Sequence, residues 1–357
     1  NAEEIQKTIP HELLHSLGLL DVEQSNGTIY SGEENTNKYT IMSYNQNTGT
    51  GQRTHELQIY DIAAIQSIYG RNDDYNQYDT IINSFTESLA PFLGQDRSYS
   101  IWDGGGIDTI DAHGLSTAAL IDLRPGYFSS IGNNTGVNIT GGGVPSIGNI
   151  GELNISIAYG AYIENAIGTD NNDLLIGNLL SNHLEGGDGN DVLFAEGYDS
   201  IYDPSDGTYT RVSSSTPSKI ANAPADIQNF VSNPEKQRDI LDGGAGNDFL
   251  KGGRGDDVLI GGSGNDVMNG GDGTDTADYN SESGSITINF DGSTNVPDIT
   301  VNDSSGGIDN LYSIEKIVGT IGNDTFTFKG EIPDGFNLLI DSGGGSHDQL
   351  NLQQAVD

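Results

Sequence analysis

The chain contains no cysteine. That excludes disulfides, thiolate metal ligands and a cysteine nucleophile. Positive charge is also scarce: 14 Lys and Arg stand against 52 Asp and Glu in 357 residues, a formal net charge of −38. So few cations cannot neutralise a phosphate backbone, which excludes nucleic acid as a partner. The same balance argues against an anionic membrane surface. No apolar run approaches the roughly 18 residues of a membrane-spanning helix. A carboxylate surplus of this size signals disorder, unless metal cations complete the folded state. The length suggests two or three domains. What the sequence has in excess is glycine, 50 of the 357 residues, about twice the usual share. Its distribution decides between the two readings.

Nine-residue units of the form G-G-x-G-x-D-x-U-x, with U apolar, follow one another without a gap. Gly243–Lys251 reads GGAGNDFLK, Gly252–Ile260 GGRGDDVLI and Gly261–Asn269 GGSGNDVMN; Gly270–Asp278, GGDGTDTAD, has Ala277 at the apolar position. Another full match, GGDGNDVLF, occupies Gly186–Phe194 after two weaker units at Gly168–Ile176 and Gly177–Glu185. Single units recur at Asp103–Asp111, Gly319–Thr327 and Gly343–Asn351. The first six residues of a unit form a tight turn, where glycine permits positive φ and close backbone approach. The last three form a short strand whose middle residue points inward, and two units make one coil of a parallel β-roll. Turn carbonyls and the position-six aspartates of stacked coils then face one another, a hard oxygen set that suits Ca²⁺. The calcium-ligand candidates are Asp173, Asp191, Asp248, Asp257, Asp266 and Asp275, with Asp108 and Asp324 in isolated units. Several Ca²⁺ ions are expected.

A longer duplication overlies the repeats. IDTIDAHGLSTAALIDL from Ile107 parallels TDTADYNSESGSITINF from Thr274, and IENAIGTDNND from Ile163 parallels IEKIVGTIGND from Ile314. Two β modules in series follow from it. A Ser/Pro-rich insertion at 204–238 interrupts the first roll, and Pro224 to Val231 within it reads as one short helix. At the N-terminal end, residues 4–20 carry a helical apolar pattern ended by Gly18, and residues 57–69 carry a second ended by Gly70.

The first of these helices holds His11, Glu12 and His15, in the run HELLHSLGLLD. Residues four apart share a helix face, so both imidazoles reach one metal ion of the Zn²⁺ type. Glu12 lies beside them and can act on a water at that ion. Gly18 allows a sharp turn that returns Asp21 toward the pair. His55, His113, His183 and His347 are scattered through loop-like sequence.

The run resembles the metzincin zinc proteases, whose signature is HExxHxxGxxH followed by a Met-turn. Ile41–Tyr44, IMSY, is similar to that turn. The resemblance implies a structural role for Met42 beneath the metal and an oxyanion-stabilising role for Tyr44, as in the serralysin branch. The helix DIAAIQSIYG, then IWDGGGIDTID, AYIENAIGTDNNDLLIGN and the RTX-type repeats, resemble the rest of a serralysin in the family's order. The implied chemistry is peptide-bond hydrolysis by a zinc-bound water, with Glu12 as general base and one Zn²⁺ on His11, His15 and Asp21. Three departures stand out. Aspartate replaces histidine as third ligand, which zinc accepts. Pro10 precedes His11, and a proline is best tolerated if the helix starts nearby, with Thr8 as its cap. The sequence begins ten residues before His11. The sheet that would hold the substrate is therefore expected upstream on a longer polypeptide, whose missing part would be this chain's partner, and this chain alone is expected to cleave poorly.

The expected fold is mainly β: a parallel β-roll and β-sandwich-like modules, preceded by the small helical C-terminal part of a metzincin catalytic domain. Four segments are expected: 1–75, the end of the protease domain; 76–165, a linker and β-rich module; 166–278, the roll with its insertion at 204–238; and 279–357, a second β-rich module. The resemblance implies a secreted metalloendopeptidase acting on protein or peptide substrates, extracellular and exported by a type I system. The rival reading is a structural or adhesive repeat protein with a relic, inactive metzincin segment.

Overall fold

The computed structural model describes residues 2–22, 36–37, 39–45, 56–83, 98–132, 139–140, 146–147, 154–196, 201–203, 208–210, 238–291, 299–329 and 338–353. The short helix read at Pro224 to Val231 lies outside them. Helix α1 spans Ala2–Ser16 and contains Pro10. It therefore does not begin near Thr8, as the proline suggested; it carries the proline and forgoes one backbone bond. Gly18, at φ 96°, ends it, and the Leu19 N–H folds back onto the Leu14 carbonyl at 3.1 Å. Helix α2 spans Ile59–Tyr69 and stops at Gly70, at φ 86°, whose N–H reaches the Gln66 carbonyl at 2.8 Å. Neither helix is long and apolar enough to cross a membrane.

The rest is β. A nine-stranded sheet runs in order through strands Ile81–Asn83, Thr109–Asp111, Asn165–Ile167, His183–Asp188, Ile240–Ala245, Val258–Ser263, Thr276–Asp278, Lys316–Val318 and Leu339–Asp341. Every pairing in it is parallel. A ten-stranded sheet takes the alternate strands, among them Leu174–Ile176, Val192–Phe194, Phe249–Arg254, Val267–Asp272 and Ile308–Tyr312. Leu241 pairs with Leu259 and Leu259 with Ala277, while Leu250 pairs with Met268. Each step is 18 residues, so two nine-residue units make one coil. Period-two alternation aims the middle apolar residue of each unit inward. Leu184, Leu193, Leu241, Leu250, Leu259, Met268 and Ala277 are all fully buried. These side chains stack between the two sheets as the middle of the main core cluster.

The register also shows where the insertion enters. Leu184 pairs with Leu241, 57 residues on, so 57 − 18 = 39 residues beyond one coil separate these neighbouring strands in the chain. The long duplication is visible in side-chain bonds. The Asp108 N–H donates to Glu164 Oε2 and the Asp275 N–H to Glu315 Oε2, both at 2.9 Å. A three-stranded sheet of Tyr99–Ile101, Ile155–Ile157 and Phe128–Ser129 flanks the start of the roll. Its Phe128 packs edge-on against Tyr39, ring centroids 5.1 Å apart, and buries Ile59 of α2 with it. The helical part is seated on the β part through this contact.

Candidate metal centre and carboxylate ladders

One turn of α1 brings His11 and His15 to the same face, rings 4.7 Å apart and perpendicular. Each ring is oriented by a backbone carbonyl. His11 Nδ1 lies 3.0 Å from the Ile41 oxygen, and His15 Nδ1 lies 2.9 Å from the Leu19 oxygen. A carbonyl can only accept, so each Nδ1 donates its N–H there and Nε2 is the ring atom left to face a metal. The two Nε2 atoms converge on one atom: Asp21 Oδ1 is 3.2 Å from His11 Nε2 and 3.3 Å from His15 Nε2. Asp21 is 2% exposed, and this oxygen accepts no hydrogen bond. His11, His15 and Asp21 are the one group of three such ligands found among the described residues. Three acceptors pointed at one another under cover repel unless a cation sits between them. The donor set, two imidazoles and a carboxylate oxygen, fits zinc with a position left open.

The supports come from further along the chain. Met42 is buried with Leu14 and Ile41. Tyr44 is largely exposed, with its hydroxyl 3.4 Å from His11 Nε2. Glu12 lies on the exposed side of α1. The sequence reading missed Asp61, in the first turn of α2. Its carboxylate accepts from Thr40 Oγ1 at 2.6 Å, Ile41 N at 2.8 Å and Gln58 N at 2.9 Å. It thereby fixes the residue whose carbonyl holds His11. Burial pushes its pKa up to about 6 against these hydrogen bonds. An acid at the third position of an apolar helix start was the available signal.

The eight position-six aspartates are all buried, and they form ladders. Oδ1 of Asp191 accepts from Asp173 N, Asp248 from Asp191 N and Asp266 from Asp248 N, at 2.7–2.8 Å. On the other edge, Oδ1 of Asp257 accepts from Asp239 N and Asp275 from Asp257 N, both at 2.9 Å. One oxygen of each carboxylate is thus committed to the next coil. The other, Oδ2 in Asp108, Asp191, Asp248, Asp257, Asp266 and Asp275, is buried with no hydrogen-bond partner. Asp173 and Asp324 differ. Their Oδ2 atoms accept from the turn amides of Thr169 and Thr320, and their Oδ1 atoms from Ala119 N and Ile286 N and from the threonine hydroxyls, so both oxygens are occupied. Asp103 and Asp239 also carry an orphaned Oδ2, and neither was identified from sequence. Asp239 sits at position six of a coil that has lost its glycines.

Burial, reinforced by neighbouring carboxylates, pushes these groups up: Asp191 to about 9, Asp239 and Asp248 to about 8, Asp257 and Asp266 to about 7 and Asp275 to about 6. Backbone hydrogen bonds only partly offset this. Orphaned, mutually repelling carboxylate oxygens beside turn carbonyls fit a hard divalent cation such as Ca²⁺. The glycines keep the space open: a Cβ on Gly252 would collide with Asp257 Oδ2.

Comparison with known proteins bears chiefly on the β part. Residues 238–277 match the RTX calcium-binding nonapeptide repeat family in four copies, and residues 93–237 match the peptidase M10 serralysin C-terminal family. Serralysin G of Dickeya chrysanthemi is 34% identical over 195 residues, covering 50% of this chain and 38% of its own length. Metalloprotease AprA of Pseudomonas entomophila is 34% identical over 205 residues, with the same shares. Serralysin of Photorhabdus luminescens is 33% identical over 199 residues, 50% of this chain and 37% of its own. The chain spans less than two fifths of the length of these relatives.

Proposed function

We propose, for a chain whose residues 93–277 belong to the serralysin C-terminal region and its RTX calcium-binding repeats, that it is part of an exported, calcium-stabilised zinc endopeptidase of the serralysin type. The observation that carries this reading is the convergence of His11 Nε2, His15 Nε2 and the buried, unpartnered Asp21 Oδ1. Those three residues would hold the zinc, which when bound supplies Lewis-acid chemistry to a water and to the scissile carbonyl.

The remaining steps fall to the chain's own groups. Glu12 follows His11 on the open side of α1, where it takes a proton from water and returns it to the leaving amine. Tyr44 offers a phenol hydroxyl beside His11 to the negative charge that develops on the carbonyl oxygen. Ile41 and Leu19 carbonyls accept from both Nδ1 atoms and leave Nε2 to face the metal. Met42 has a structural role, packed with Leu14 and Ile41. The segments 1–75, 76–165, 166–278 and 279–357 then divide the labour: hydrolysis in the first, calcium-driven folding outside the cell in the others. Export by a type I system and peptide substrates belong to the same reading.

Zinc content and hydrolysis of casein by the full polypeptide test it together. The expected result is about one zinc per chain and a loss of at least about 10²-fold in activity for Glu12→Ala, with zinc retained. Zinc without any Glu12-dependent hydrolysis would favour a structural or adhesive role for the repeats. No zinc at all would sink the assignment.

A further inference from the structure

The matched repeats end at residue 277, yet the roll continues. Strand Ile308–Tyr312 pairs with Val267–Asp272 in parallel register, Leu311 opposite Met268. The Asp266 N–H donates to Asp309 Oδ1 at 2.9 Å, the same bond that joins each earlier aspartate of this ladder to the next. Ser304–Tyr312 is therefore a further nine-residue unit with Asp309 at position six. Its turn stacks as the others do: a Cβ on Gly307 would overlap the Gly264 carbonyl, as one on Gly264 would overlap that of Gly246. The parallel series stops there, because on its other side Ile308–Tyr312 pairs antiparallel with Ile299–Asn302.

This last unit departs from the others at its carboxylate. In a regular unit the leading glycine makes room for Oδ2. A Cβ on Gly186, Gly243 or Gly261 would collide with Oδ2 of Asp191, Asp248 or Asp266 respectively, and these three oxygens are buried without a hydrogen-bond partner. The last unit has Ser304 where that glycine stands, and Asp309 Oδ2 meets a donor instead: the Tyr279 hydroxyl, at 3.0 Å. Tyr279 is 2% exposed and Asp309 fully buried. Burial, and then the charge of Asp309, holds the phenol well above its ordinary pKa of 10, so it keeps the proton that it donates. Both oxygens of Asp309 are thus taken by protein donors, a backbone amide and a phenol. The hydroxyl hydrogen brings to Oδ2 the positive end of a dipole that the repeat carboxylates lack, and it repels a cation from that oxygen.

The duplication supplies a contrast within the same molecule. Aligned on Ile107 and Thr274, Ala112 stands in the first copy where Tyr279 stands in the second. The backbone does the same at both: the Ala112 N–H donates to the Ile167 carbonyl and the Tyr279 N–H to that of Val318, each at 2.9 Å. Ala112 is fully buried, so the fold accepts a methyl group at this position. The phenol belongs to the copy that meets the end of the ladder. The opposite end of the ladder is closed by protein donors too, on both oxygens of Asp173.

We propose that Tyr279 sets the length of this calcium row: its hydroxyl takes the place of a cation at Asp309, so the row uses Asp191, Asp248 and Asp266 and stops one unit short of the last parallel strand. Tyr279 is then a determinant of calcium number and not a ligand. The proposal rests on the reading of the repeats as calcium-bound.

Calcium stoichiometry of the full chain, by equilibrium dialysis and native mass spectrometry, tests it. Asp309→Asn keeps an oxygen for the Asp266 amide and should bind as many Ca²⁺ as wild type, whereas Asp266→Ala should bind at least one fewer. Tyr279→Phe removes the hydroxyl alone and orphans Asp309 Oδ2; it should bind one Ca²⁺ more than wild type, and adding Asp309→Asn should return the count to the wild-type value. Wild type that binds no calcium would remove the repeat reading itself. Loss of an ion from Asp309→Asn, or a wild-type count for Tyr279→Phe, would overturn the role of Tyr279 and leave the repeats standing. If a variant fails to fold, anomalous diffraction from wild-type crystals grown in calcium decides. Peaks at about 2.3–2.6 Å from Oδ2 of Asp191, Asp248 and Asp266 are expected, with none at that distance from Asp309 Oδ2; a peak beside Asp309 would refute it.

Discussion

Removing calcium should invert the usual pH dependence of stability. Asp248 shows the magnitude. Its carboxyl is pushed from 3.8 up to about 8 in the folded chain, by burial first and then by Asp266 and Asp242. About four pH units at 1.36 kcal/mol each make ionisation of this one buried group cost roughly 6 kcal/mol of folding free energy. Asp191 and Asp239 are shifted as far or further. Two or three such groups equal or exceed the roughly 5–15 kcal/mol that holds an ordinary domain together. The sign follows from proton counting. A raised carboxyl pKa means that the folded state holds more protons, so stability falls as pH rises from the unfolded value near 4 through the folded values of about 6 to 9. The calcium-free chain should therefore keep β structure and compact size near pH 5 and lose both by pH 8. Saturating calcium should abolish the loss. Circular dichroism and small-angle scattering across pH 5–8 in EDTA would follow it. A control separates the ladders from the net charge of −38: at 1 M salt the Debye length is about 3 Å, which quenches surface repulsion and hardly touches buried pairs. Recovery of the fold at pH 8 by salt alone would assign the effect to surface charge. A calcium-free chain as compact and as β-rich at pH 8 as at pH 5 would refute the argument at its central step.

Further outcomes follow from single contacts. Asp61→Ala strands the buried Ile41 and Gln58 N–H groups, each at about 1–3 kcal/mol. The melting temperature should drop, and zinc affinity should weaken by about 10–100-fold because His11 loses its fixed carbonyl; Asp61→Asn should recover part of both. Asp21→Ala should lower zinc occupancy measured after dialysis as His15→Ala does; full retention would remove Asp21 from the ligand set. Gly252→Ala forces a methyl against Asp257 Oδ2. It should raise the calcium midpoint of the β signal at least as far as Asp257→Ala does, and an unchanged midpoint would mean that this oxygen is not a ligand.

Much of this molecule is legible without coordinates because its signals are local. A nine-residue unit contains its own turn and its own inward residue, so Gly243–Asp278 announces a roll, its 18-residue coil and the aspartates that line it. The i, i+4 spacing of His11 and His15 similarly makes one helix face out of two residues. Asp21 needed only the glycine between. The coils without the leading glycine pair are a different matter. Asp239 and Asp309 occupy position six only because neighbouring strands impose their register across 18 or 43 residues, and no local pattern marks them. Nor does the repeat distinguish Asp173 and Asp324, whose second oxygens are taken by the amides of Thr169 and Thr320, from the six aspartates whose second oxygen is orphaned. That difference is a matter of which donor lies within hydrogen-bond reach. The role of Asp61 is likewise set by a contact across 20 residues to Ile41. Periodicity and short-range spacing, being properties of the chain itself, determined the roll and the histidine pair. Which oxygen remains free for a cation, and what orients each imidazole, depend on groups far apart in sequence, and only tertiary packing brings them together.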